Sequence, residues 1–242
     1  MPVKKTKKQS KSRVSKPRVT AEKPRVLVNY IIDRSGSMAG RWKETLNGFN
    51  VFIEDLRTNK DVQYFFSLTC FDTVVDMPLV AVPIGKIDTS ILASFGPRGG
   101  TALYDAVGMT LERTKTQASD FDKIIQVIVT DGEENSSCEW NKDTLHDIVD
   151  KSIATGKHTF TYLGAQPETW TDAAKAGLAI AGSTVIYDQN NIGATYRCVA
   201  SSLNSFASSA MHSTSSLYTD FGDKTLMKAA NLTVAGDPTE KK

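Results

Sequence analysis

Residues 25–37 read RVLVNYIIDRSGS, and this stretch decides the fold. From Val26 to Ile32 the run is almost continuously apolar, as expected of a central strand buried on both faces. It stops at Asp33 and passes into short polar residues, Arg34-Ser35-Gly36-Ser37. In a parallel sheet such a loop lies at the carboxyl edge of the strands, where ligands gather.

Downstream, strand-like and helix-like stretches alternate. Trp42, Leu46, Phe49, Ile53 and Leu56 recur at steps of four and three, which predicts an amphipathic helix over 42–57. VQYFFSLTCF (62–71) reads as a second strand. TVVDMPLVAV (73–82) reads as an antiparallel edge strand, where Pro78 is tolerated. Leu103, Val107 and Leu111 set a helical face within 101–115, and KIIQVIVTD (123–131) is a third long apolar strand. Residues 141–156 read as a helix with Asn141 or Asp143 as cap and Gly156 as stop. A strand at 158–165, a helix at 167–178 opened by Pro167, a short strand at 183–188 and a helix over about 191–210 complete the order. The fold class expected is α/β: a doubly wound, mainly parallel sheet with one antiparallel edge strand and helices on both faces.

At 242 residues and 40% hydrophobic, the chain can bury one sizeable core. Residues 1–24 carry no aromatics and no periodicity, and read as a disordered basic arm. The folded domain is expected over 25–210, followed by a Ser- and Gly-containing tail over 211–242. Ten of the 29 Lys and Arg, but one of the 27 Asp and Glu, lie in residues 1–25, a local charge of +9 that leaves −7 on the remainder. Cys70, Cys138 and Cys198 are odd in number and widely spaced, which points to a reducing interior instead of a disulfide framework. No run approaches the length of a membrane span and the N-terminus is basic and polar, so a cytoplasmic protein without membrane contact is expected.

Three polar clusters fall at the predicted carboxyl edge: Asp33 to Ser37, Gly99-Gly100-Thr101, and Thr130-Asp131-Gly132. Each alone fits a turn or a helix cap. Together they bring two carboxylates and three hydroxyls to adjacent loops, a set of hard oxygen donors suited to Mg²⁺, Mn²⁺ or Ca²⁺. Without His or Cys nearby in sequence, zinc has no support. Gly36, Gly99 and Gly100 are expected to let the backbone turn around the ion. Glu133 and Glu134 read as surface acids, and Asp72 as a turn residue.

DRSGS resembles the DxSxS element of the metal-ion-dependent adhesion site of von Willebrand factor A domains, and Thr101 and Asp131 match that site's remaining Thr and Asp. GGTALYDAV and IIQVIVTDGEEN are similar to the family's surrounding segments, and the resemblance spans about residues 25–210. It implies that Ser35, Ser37 and Thr101 bind the ion through hydroxyls, and Asp33 and Asp131 directly or through water, with Mg²⁺ the expected ion. It further implies a metal-dependent protein-interaction module that takes up an Asp or Glu of a partner, acting in assembly or recruitment. The likeness is to stand-alone intracellular members of microbes and their viruses. Arg34 and Arg98 are candidates to steer an anionic ligand, and Met38 to touch a partner. In adhesion members the last helix, here 191–210, is linked to the metal site.

An enzyme is not expected. A phosphatase using an aspartyl-phosphate needs a second carboxylate two residues after the first, where Ser35 stands. GxSxG and the P-loop pattern are both absent, and His146, His158 and His212 are scattered. The alternative reading is a nucleic-acid-associated or virion-type scaffold. Its contacts would come from the arm cations Lys4, Lys5, Lys7, Lys8, Lys11, Arg13, Lys16 and Arg18, which would meet phosphates in a salt-sensitive way.

Overall fold

A computed structural model describes residues 22–164, 174, 176–178, 182–186 and 191–235. The arm residues 1–21, most of the helix expected at 167–178 and the end of the tail lie outside the described residues. The described strands are β1 (Arg25–Asp33), β2 (Gln63–Phe71), β3 (Val75–Pro83), β4 (Lys123–Thr130), β5 (His158–Gly164), β6 (Thr184–Ile186) and β7 (Thr233–Val234). The helices are α1 (Trp42–Thr58), α2 (Leu103–Lys115), α3 (Lys142–Ala154), α4 (Ile192–Ser208), α5 (Leu217–Phe221) and α6 (Lys224–Ala229).

The strands form one sheet in the order β3-β2-β1-β4-β5-β6-β7. β1 pairs in parallel with β2 and β4, and β4-β5-β6 continue in parallel. β3 runs antiparallel at one edge, as expected, with Pro78 exposed on it. The opposite edge carries a second antiparallel strand, the two-residue β7 on β6, which the sequence did not reveal.

Alternation along β1 sends its side chains to two cores. Val26, Val28, Tyr30 and Ile32 pack with α1 and α4 on one face. Ile31 joins Ile128, Phe160 and Tyr162 under α2 and α3 on the other. Gly48 lets α1 and α4 close up, because a Cβ there would fall 2.1 Å from the Tyr196 ring. α3 is capped by Asn141, whose side chain accepts from Asp143 and Thr144 N–H while Thr144 Oγ1 accepts from Asn141 N–H. Buried Lys123 opens β4 and donates from Nζ to the carbonyls of Phe206 (2.7 Å), Ala207 (3.0 Å) and Ser209 (2.8 Å), tying down the end of α4.

Residues 217–234, read from sequence as tail, instead form α5, α6 and β7. Leu217, Tyr218 and Val234 are buried with the α1–α4 core, and Tyr218 Oη lies 2.6 Å from Thr161 Oγ1 on β5. These elements are too short to show periodicity: burial holds α5 and β7, while α6 buries no residue and is capped by Asp223, whose side chain accepts from Thr225 and Leu226 N–H. Among the described residues, no helix is long and apolar enough to cross a membrane.

Candidate metal centre

Strand register builds the site. Ile32 pairs with Val129, so the ends of β1 and β4 lie side by side and bring Asp33 next to Thr130 and the loop bearing Asp131. The backbone of the first loop is stitched to the 98–102 loop by Gly36 N–H to Gly99 O (3.1 Å) and Arg98 N–H to Arg34 O (2.8 Å).

Within this frame Asp33 is buried, its Oδ1 accepting from Ser35 N–H at 2.6 Å and its Oδ2 from Thr130 Oγ1 at 2.6 Å. Ser35 Oγ lies 2.9 Å from Ser37 Oγ, and Ser37 Oγ donates to Asp131 Oδ1 at 2.7 Å. A Cβ placed on Gly132 would sit 3.0 Å from Thr101 Oγ1, 3.6 Å from Asp33 Oδ2 and 3.6 Å from Ser37 Oγ. Oxygens of the β1 loop and of the 98–102 loop thus converge on one point beside Gly132, in the loop after β4. Asp33, Ser35 and Thr101 are buried whereas Ser37 is exposed, so the cluster opens to solvent on the Ser37 side.

Burial pushes the Asp33 carboxyl up to about 6, and the neighbouring Asp131 charge adds to the rise, against hydrogen bonds from Thr130 and Ser35 that lower it. A buried carboxylate whose charge is only partly offset, beside a second carboxylate and three hydroxyls, fits a divalent cation bound through oxygen. Among the described residues no group of three or more His, Cys, Asp or Glu assembles.

The loop after Asp131 is latched to α2. Asn135 Oδ1 accepts from Thr101 N–H (2.8 Å) and Asn135 N–H donates to Thr101 O (3.0 Å). Glu134 accepts from the backbone N–H groups of Tyr104 (2.9 Å), Ser136 (2.9 Å) and Ser137 (2.7 Å). In return Asp105, on α2, accepts from the N–H groups of Cys138 (2.8 Å), Glu139 (3.0 Å) and Trp140 (2.7 Å). Glu134 is therefore an organising residue of the loop, not the surface acid expected from sequence. Ser136 and Ser137 are local partners of Glu134, two and three residues on, but Tyr104, which joins the loop to α2, stands thirty positions away, and no local pattern announces it.

The three candidate partner residues divide. Arg34 is buried and turned inward, pairing with Asp72 at 3.0 Å and with Asp76, its guanidinium 4.9 Å from the Phe95 ring centre. Met38 is buried in the 3₁₀ turn Gly36–Arg41. Only Arg98 is exposed, and its Nε donates to Asp72 at 2.7 Å. Asp72 is more than a turn residue: burial opposes its charge, but hydrogen bonds from Arg98 and Val74 N–H, with the charges of Arg34 and Arg98, hold its carboxyl below the usual range. The residue that sequence reasoning missed is Arg41, whose Nη1 lies 2.7 Å from Asp131 Oδ2.

No sequence-family model matches the chain, and no curated protein sequence matches it. Solved structures do. A von Willebrand factor type A protein from Catenulispora acidiphila superposes with a TM-score of 0.53 at 16% identity, over 77% of this chain and 44% of that one. Manganese-loaded TRAP protein of Plasmodium vivax gives 0.52 at 15% identity, over 72% and 74%. Proximal thread matrix protein 1 from the mussel byssus, with a zinc-occupied MIDAS motif, gives 0.55 at 18% identity, over 74% and 47%. This chain therefore spans less than half the length of the Catenulispora and mussel chains. At these identities the likeness establishes the fold, which is that of von Willebrand A-type domains.

Proposed function

We propose that this chain is a metal-dependent protein-interaction module with a complete adhesion-type site. Asp33, Ser35, Ser37, Thr101 and Asp131 would hold the cation, and Mg²⁺ is the ion the oxygen set suits best. The observation that carries this reading is the convergence of Thr101, Asp33 and Ser37 oxygens beside Gly132. When bound, the cation supplies an electrophilic position able to take a carboxylate oxygen of a partner. The protein's own part is to keep that position open. Three of its five donors are neutral hydroxyls, and Ser37 leaves the cluster accessible from solvent.

The reading is of a binding module and not of an enzyme. Ser35 stands where an acid–base carboxylate would be, and its hydroxyl is engaged with Ser37 instead of a base. Cys70, Cys138 and Cys198 are all free thiols, which supports a role in assembly or recruitment inside a reducing compartment. Two solved structures of this fold hold a divalent metal, manganese in the Plasmodium vivax TRAP protein and zinc in the mussel matrix protein, which supports a divalent cation here.

A pull-down with Mg²⁺ and with EDTA, read by mass spectrometry, tests the proposal. A partner retained with Mg²⁺ and lost with EDTA or Thr101→Ala is expected, and an EDTA-insensitive complex contradicts it. A second, separable activity rests on the charge segregation, +9 in residues 1–25 against −7 elsewhere. There the arm cations from Lys4 to Arg18 would bind a polyanion such as nucleic acid.

A further inference from the structure

We propose that Arg41 is a built-in counter-charge of the metal centre, which weakens cation binding by itself and makes it depend on an anionic partner. The inference rests on the metal-centre reading above.

Both oxygens of the Asp131 carboxylate are engaged inside the chain: Oδ1 accepts from Ser37 Oγ at 2.7 Å, and Oδ2 faces Arg41 Nη1 at 2.7 Å. The two side chains are largely out of solvent, Asp131 at 2% exposure and Arg41 at 19%, so their attraction is little screened. Among the described residues Arg41 Nη1 nevertheless has no well-aligned acceptor. It is held by charge more than by hydrogen-bond geometry. Arg41 also ends the 3₁₀ turn Gly36–Arg41 that contains Ser37, so one short segment delivers both a donor oxygen and a positive charge to the same carboxylate.

Charge balance gives the consequence. Asp33 and Asp131 bring two negative charges, and Arg41 cancels one before any cation arrives. A divalent cation then leaves the centre with one net positive charge, where without Arg41 it would be neutral. Residual charge in a mostly buried site is unfavourable. One carboxylate from outside removes it, so cation and carboxylate each strengthen the other's binding, and by linkage the coupling is mutual.

Calorimetric titration of MnCl₂ at pH 7.5 into the full chain tests this, using wild type, Arg41→Gln, Arg41→Lys, and Thr101→Ala as the site control. Each is run in sodium acetate and in sodium chloride of equal ionic strength. Arg41→Gln should bind Mn²⁺ at least about fivefold more tightly than wild type in chloride. Acetate should strengthen Mn²⁺ binding to wild type and Arg41→Lys but much less to Arg41→Gln. Arg41→Met, which keeps the apolar stem, serves as the charge-free variant should Arg41→Gln not fold. Unchanged or weaker Mn²⁺ binding in the charge-free variant overturns the role of Arg41 and leaves the metal centre standing. Absence of Mn²⁺ binding in every protein, or binding that Thr101→Ala does not reduce, overturns both.

Discussion

Single residues carry most of the chemistry, and Gly132 is the most exposed to test. It provides no ligand, yet a methyl group there would occupy the point on which Thr101, Asp33 and Ser37 converge. Gly132→Ala is expected to weaken Mn²⁺ binding by about 10–100-fold, as measured by calorimetry, while the far-ultraviolet circular dichroism stays that of the wild type. His158 tests a different property. It is buried, stacked on Phe160 at a centroid distance of 6.3 Å, and burial with the nearby Lys157 charge lowers its pKa to about 4. The folded protein thus resists a proton that the unfolded chain accepts near the ordinary histidine value. The stability it contributes is full above about pH 6.5 and is lost as pH falls from there through about 4. Relative to His158→Phe, wild type should lose about 2–3 kcal/mol of unfolding free energy between pH 7 and pH 4 in urea titrations. Parallel pH profiles for the two proteins would count against this. The five proposed donor positions stand out in the sequence because they fall in short polar motifs, at the end of β1, ahead of α2 and after β4. The Arg41–Asp131 pair and the Glu134–Tyr104 link do not, because both are set by tertiary folding and not by spacing.

At the scale of elements, close approach of helices decides what the sequence can tolerate. Gly48 on α1 lies against the Tyr196 ring of α4, with a virtual Cβ 2.1 Å from it. Alanine, the best helix former, should therefore destabilise here. Gly48→Ala is expected to cost about 1–3 kcal/mol in thermal or chemical unfolding, against the gain of up to about 1 kcal/mol that helix propensity alone would give. The long elements, β1, β2, β4, α1 and α4, were readable because an apolar run or a 3.6-residue stripe marks each one. β7, α5 and α6 were not, since two to six residues cannot display a period. α4, the helix that the family resemblance links to the metal site, is tied at its end by Lys123 and at its start by Asn191 Nδ2 donating to Ala229 O at 2.9 Å. The short C-terminal elements thus contribute to fixing the helix as well as to extending the sheet.

For the molecule as a whole, charge segregation separates two surfaces. The proposed metal centre lies at the carboxyl ends of the strands, while β1 begins at Arg25, at the opposite end of the same strand and next in sequence to the basic arm. Deleting residues 1–24 is expected to abolish salt-sensitive binding to a polyanion such as heparin, followed by fluorescence anisotropy, and to leave Mn²⁺ affinity unchanged. Polyanion binding that survives the deletion would remove the arm from the account. The doubly wound architecture was legible from the alternation of strands and helices, and the fold of von Willebrand A-type domains from five residues in order. The partner was not legible, since one fold presents many surfaces and recognition is written in the partner's chemistry as much as in this chain's.

The central claim is that Asp33, Ser35, Ser37, Thr101 and Asp131 form one cation site. The most direct measurement is anomalous diffraction at the manganese edge from crystals grown with MnCl₂. A single strong peak among the oxygens of these five residues, beside Gly132, is the predicted result. A peak elsewhere, or none at that point at saturating Mn²⁺, would contradict it.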